Sequence, residues 1–136
     1  EPAEVIRGAQ TPLAVAKWLA ETDGLPLAYS SADPDEVTAV QAQFGTETAA
    51  NALEDFFGKT ALCLADLGVT RILTAGGETS GAVVEALDIQ TLEIGPEIDP
   101  GVPALRASGT LVIALKSGNF GSVDYFEKAA NMLGQD

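Results

Sequence analysis

"VTRILTAGGETSGAVVEAL", Val69 to Leu87, decides how the rest of the chain is read. It opens on an apolar run with the composition of a buried strand, "VTRILTA". It closes on "AVVEAL", Ala82 to Leu87, which reads as a helix. Between them stand Gly76, Gly77, Glu78, Thr79, Ser80 and Gly81, residues with little to bury. A strand that passes through glycines into a helix is the first half of a crossover, and crossovers join parallel strands.

The same alternation extends in both directions. Upstream, Thr11 and Pro12 open a helix that stops near Gly24, and "LPLAYSS" reads as a short buried strand, Leu25 to Ser30. Asp33, Pro34 and Glu36 form a further helix start, and Val37, Val40 and Phe44 give that helix a buried stripe before Gly45 ends it. A longer helix runs from about Thr46 to Leu67, with Ala49, Leu53, Phe56, Phe57, Thr60, Leu64 and Leu67 on one face. Gly68 sits where a left-handed stop belongs. Downstream come a strand at "TLEIG", an irregular stretch from Pro96 to Gly109, and a strand at "TLVIALK". A last helix is opened by Asp124 with Glu127 three residues on. The reading is one α/β domain over residues 1–136: a mainly parallel sheet with helices on both faces.

Composition removes whole classes of function. The chain has 136 residues, of which 46% are apolar, enough for a real core. Its 20 acidic against 7 basic side chains leave a net charge of -13, which argues against nucleic acid and anionic membranes as partners. There is no His, so neither a Ser-His-Asp triad nor a His-ligated metal site can be built from these residues. The single Cys63 excludes an internal disulfide and fits a reducing, cytoplasmic setting. That thiol is either buried and inert or reactive, and Lys59 is the one basic residue near it in sequence. No signal-peptide pattern is present, and the chain begins at "EPAEV" without an initiator Met, as a trimmed piece would.

In open parallel sheets ligands gather at the carboxyl ends of the strands. Gly76 and Gly77 let the backbone approach a ligand and adopt positive φ, and Thr79 or Ser80 can cap the helix that follows. A helix N-terminus favours an anion, and phosphate fits there. The spacing Gly76 to Gly81 matches that of a P-loop, but Ala82 and Val83 stand where Lys and Ser or Thr are required, so this is no Walker motif. The plainer alternative is a tight turn with a hydroxyl cap. "KSGNFG", Lys116 to Gly121, is a second such loop after a strand and before a helix; the rival reading is a hairpin turn with Phe120 packed. As two strand-to-helix loops, Gly76–Ser80 and Lys116, Ser117, Gly118, Asn119 and Gly121 would line one crevice, sized for a nucleotide. Glu78 either favours the helix dipole or reaches phosphates through Mg²⁺. Lys116 either neutralises phosphate or is simply solvated. Glu93, Glu97 and Asp99 read as a solvated acidic loop.

"LTAGGETSGAVVEAL", "IGPEIDPGVP" and "LVIALKSGNFG", together with "PLAYSSADP", resemble the C-terminal part of the four-carbon acid sugar kinases, a family that includes 3-oxo-tetronate, threonate and erythronate kinases. The resemblance implies the C-terminal, nucleotide-binding domain of a two-domain enzyme that uses ATP and Mg²⁺. Binding would run through Gly76, Gly77, Glu78 and Thr79 and through the "SGNFG" loop with Gly118 and Gly121. The sugar acid would be bound by an N-terminal domain that these residues do not include. No general base is assigned, this chain alone is expected to be inactive, and assembly into a homo-oligomer is left open.

Overall fold

A computed structural model describes residues 2–30, 33–107, 109–118 and 120–134. The element order is α1 (Pro2–Ile6), α2 (Pro12–Glu21), α3 (Pro34–Phe44), α4 (Thr46–Asp66), β1 (Arg71–Ala75), α5 (Gly77–Ala86), β2 (Glu93–Asp99), β3 (Val102–Arg106), β4 (Val112–Lys116) and α6 (Tyr125–Leu133).

Local signals set most of the helix boundaries. Thr11 caps α2, its Oγ1 accepting the Ala14 N–H at 3.3 Å, and Pro12 takes the first helical position. Gly68 stops α4 at φ +84. Asp33 and Asp124 precede α3 and α6 as expected, but neither side chain makes a capping hydrogen bond. The buried stripe expected on α3 is absent: Val37 is exposed, and Val40 and Phe44 are only half-buried. The reason is that, among the described residues, α3 packs chiefly against α4, with Arg7 over the Phe44 ring and no strand among its main neighbours. On α4 the stripe is buried at Ala49, Phe56, Thr60 and Leu64, whereas Leu67 at the helix end is exposed. Cys63 is half-buried against the core.

The four strands run in the order β1-β4-β3-β2. β1 pairs parallel with β4, but β4–β3 and β3–β2 are antiparallel, so the sheet is mixed and not mainly parallel. What produces the difference lies in the stretch expected to be irregular from Pro96 to Gly109. Instead β2 and β3 form a hairpin across Pro100 and Gly101, with Asp99 opposite Val102. Gly101 has φ +78, which the third position of a type II turn demands, and proline suits the position before it. The strand expected at Leu25–Ser30 is not formed either; Leu25, Leu27 and Tyr29 stay exposed in an irregular segment. That segment and the outer side of β1 wall a groove of about 1080 Å³.

Helices do cover both faces, as the alternation of the strands requires. Ile72, Leu105 and Ile113 pack on one face with Ala16 of α2, Ala61 and Leu64 of α4, and Val83 of α5. Their sequence neighbours Leu73, Ala104 and Ala114 pack on the other with Tyr125, Ala129 and Leu133 of α6. Burying these apolar faces is the main stabilising term.

Candidate functional site

β1 and β4 are adjacent and parallel, with Ala75 opposite Lys116, and the Gly76 N–H donates to the Lys116 carbonyl at 2.8 Å. Both glycine loops therefore leave the same carboxyl edge of the sheet, side by side. They then part: the first leads into α5 on one face, the second into α6 on the other. In α/β sheets, the edge where neighbouring strands send their helices to opposite faces is the usual ligand position.

The first loop is very short. Gly76 alone separates β1 from α5 and serves as the cap residue at φ +113, a conformation barred to most side chains. The helix thus starts at Gly77, well before the expected Ala82, and neither Thr79 nor Ser80 caps it. Both lie in its first turn, where the Ser80 N–H bonds the Gly76 carbonyl at 2.9 Å. No side chain caps α5, which leaves the N–H groups of Gly77, Glu78 and Thr79 without the usual side-chain acceptor. Gly77 does not take the positive φ expected of it; a Cβ there would meet nothing within 4 Å. Glu78 is exposed and Thr79 half-buried. Ser80 turns inward: its Oγ lies 2.8 Å from Thr74 Oγ1 in a buried pair that ties β1 to α5.

Eight residues separate β4 from α6 in the second loop, and the chain running on into a helix removes the hairpin reading. The Lys116 ammonium donates to the carbonyls of Ser117 (3.1 Å) and Gly118 (3.2 Å), folding back under its own loop. Ser117 and Gly118 are exposed, and a Cβ at Gly118 would again meet nothing within 4 Å. Gly121 is different: a Cβ there would lie 3.0 Å from Lys116 Cε and 3.3 Å from the Tyr125 ring. Phe120 is half exposed, its ring over Gly101. Asn119 lies outside the described residues.

One group of side chains escaped the sequence reading. Asp99, expected in a solvated loop, is buried, and its carboxylate accepts the Ser122 N–H and lies 2.8 Å from the Ser122 hydroxyl. Lys128 donates to Asp99 Oδ1 at 3.0 Å, to Ser122 Oγ at 2.8 Å and to Asp124 at 3.0 Å. These donors, the Ser122 amide first, hold the Asp99 carboxyl at about 2. The phenol of Tyr125 is buried with no hydrogen-bond partner among the described residues, and burial with the Asp99 charge pushes it up to about 12. Lys128 follows Asp124 by four residues, a pair visible in the sequence; its link to Asp99 spans 29 residues and is not. The Pro100-Gly101 pair was the legible sign of the hairpin that carries Asp99.

Two cavities flank β1 and α5. The large groove reaches Ala75 and Thr79, and a smaller one of about 440 Å³ is lined by Ser80, Gly81 and Leu115. Neither is lined by Gly77 or Gly118, so the cleft expected between those glycines is neither of these cavities. Among the described residues no three acidic or sulfur side chains gather as a metal-binding group, and no helix is long and apolar enough to cross a membrane.

A family model described as a nucleotide-binding C-terminal domain matches residues 2–126. The chain belongs to that family. It is 53% identical over 115 residues to a 3-oxo-tetronate kinase of Pseudomonas fluorescens, covering 83% of this chain and 27% of that protein. A 3-oxo-tetronate kinase of Cupriavidus necator is 43% identical over 136 residues, with 98% and 32% covered. The resemblance read from the motifs is thus borne out, while the chain spans only about a quarter to a third of these relatives. A crystal structure of a Haemophilus influenzae protein of the DUF1537 family superposes with a TM-score of 0.88 at 39% identity, covering 98% of this chain and 33% of that one. A Bordetella bronchiseptica protein, 24% identical with a TM-score of 0.62 over 97% of this chain and 35% of its own, shares the fold.

Proposed function

We propose that these residues form the ATP-binding part of a kinase that phosphorylates a four-carbon sugar acid, with 3-oxo-tetronate as its substrate; threonate and erythronate are the alternatives. The observation that carries this reading is that both glycine loops leave adjacent parallel strands at one sheet edge and diverge to opposite faces, with the uncapped N-terminus of α5 beside them. The names of the relatives support the choice of substrate.

The residues divide the work as follows. The N–H groups of Gly77, Glu78 and Thr79 and the positive end of α5 hold phosphate oxygens. Gly77 and Gly118, where the fold itself leaves room for a side chain, keep both loop backbones accessible to the nucleotide. Thr79 adds a hydroxyl. Ser80 serves by fixing the helix start to β1 through Thr74. Lys116 brings a positive charge that a strongly acidic protein must supply locally, with Ser117 and Gly121 shaping the loop above it. Bound Mg²⁺ would neutralise phosphate charge, and Glu78 is the carboxylate that would meet it; such an ion needs only one or two protein carboxylates beside the phosphates. Phosphoryl transfer is chiefly positioning and charge neutralisation, which this equipment suits. The sugar acid and the base that activates its hydroxyl belong to another domain, and the enzyme works in the cytoplasm.

Titration calorimetry with ATP and Mg²⁺ tests the reading. Binding that requires both the adenine ring and the cation supports it. Equal binding of sulfate or inorganic phosphate would replace it with a simple anion module.

A further inference from the structure

We propose that Asp99 is a positioning residue: with the β2–β3 turn it buttresses the Ser117–Gly121 loop in the geometry that receives the nucleotide. The inference rests on the nucleotide reading above and extends it to a motif, "IDPGVP", that the reading leaves without a role.

The second loop is long, and three separate contacts hold it. At its near end the Lys116 ammonium bonds the Ser117 and Gly118 carbonyls. In its middle the Phe120 ring lies over Gly101, close enough that a Cβ at Gly101 would stand 3.2 Å from the ring. At its far end Asp99 takes the Ser122 N–H at 2.8 Å, while Lys128 bonds both Asp99 and Ser122. Two of the three contacts come from the β2–β3 hairpin, which touches neither α5 nor the first loop through any hydrogen bond described.

Stability is a poor reason for such a group. The Lys128 side chain is 41% exposed, and an ion pair with one partner in water contributes little to stability. What it supplies is geometry. A carboxylate that accepts a particular backbone N–H fixes that residue to a fraction of an ångström, and support of this kind keeps a binding loop in register. Displacement of such a loop by an ångström is enough to weaken a ligand's hold markedly.

The test compares ATP–Mg²⁺ affinity, the split between KM for ATP and kcat, and amide exchange along residues 117–122 in the full-length protein. Asp99→Asn, Lys128→Met and Ser122→Ala are each measured beside the wild type; Ser122 is exposed, so its variant keeps the fold whatever Asp99→Asn does. Expected are faster exchange at Ser122, on the order of tenfold weaker ATP binding in Lys128→Met and Asp99→Asn with kcat at saturating ATP little changed, and recovery in Lys128→Arg. A wild type that binds ATP, with folded variants whose loop exchanges freely yet bind ATP as tightly, overturns this inference alone. A wild type that binds no ATP overturns the nucleotide reading and this inference with it.

Discussion

The two glycine loops share one sheet edge and are built in opposite ways. Between β1 and α5 there is a single residue, Gly76, and the loop's position follows from the strand, the helix and the Thr74–Ser80 pair that join within it. Between β4 and α6 there are eight, and their position depends on Lys116 beneath them and on Asp99 and Gly101 from a hairpin far away in sequence. One loop is held by secondary structure, the other by tertiary contact. A short loop can be placed by local rules, whereas a long one must be held.

The largest effect should come from what the two loops have in common. Ile113, fully buried at the centre of β4, supports the strand that carries one loop and pairs with the strand that carries the other. Ile113→Ala is expected to cost about 3 kcal/mol and to loosen both loops together. Denaturant unfolding and amide exchange would check it; loosening of one loop alone would break the idea of a shared support.

Next comes a change confined to the first loop. Gly77→Val meets open space, so the fold should be kept, with ATP affinity falling on the order of a hundredfold as the side chain blocks the approach of phosphate. Calorimetry beside a melting curve separates the two. Unchanged affinity in a folded variant would remove Gly77 from the site.

Smaller is the effect of the pair that fixes this loop. Thr74→Val strands the buried Ser80 hydroxyl and should cost about 1–2 kcal/mol, and the double variant with Ser80→Ala should cost less than the two singles added. Strict additivity in the denaturation cycle would show that the hydroxyls do not act as a pair.

The smallest effect tells the loops apart by acidity. The Asp99 carboxyl titrates at about 2 in the folded chain against an ordinary 3.8, so its hold on Ser122 is complete above the ordinary value and is lost as pH falls through about 2. The Ser80 amide bonds a backbone carbonyl and has no such dependence. Between pH 4 and pH 2 the protection of the Ser122 amide should fall relative to that of Ser80. Parallel loss at both amides would remove the distinction.

How much was legible follows the same division. Every determinant of β1, Gly76 and α5 lies within one continuous run, so strand, turn and helix could be read there, though the helix began earlier than expected because Gly76 replaced a hydroxyl cap. The mixed sheet could not be read in the same way. The start of β2 could be read at "TLEIG", but the register against β3 shifts between Ile94 and Glu97, across Gly95 and Pro96, which broke the alternation that marks a strand and hid the rest of β2 and its hairpin. The Asp99–Ser122 contact joins residues 23 apart, and no local pattern announces it. Leu25–Ser30 and the apolar stripe of α3 misled for the opposite reason: both have the composition of buried elements, and among the described residues neither meets a surface that buries it.

The sheet's two rims have unequal consequences in a concentrated sample. The β2 rim carries Pro96, a break in register and the charges of Glu93 and Glu97, all of which discourage another strand from joining it. The β1 rim has neither proline nor register break, carries the single charge of Arg71, and faces a groove lined with Leu25, Leu27 and Tyr29. Mutual repulsion at a net charge of -13 opposes the pairing of copies of this chain along that rim. Repulsion of that kind reaches only about 10 Å at 0.1 M salt and shortens as salt is added. Preparations of these 136 residues should therefore cluster when ionic strength is raised, and a strand laid along β1 should abolish the tendency.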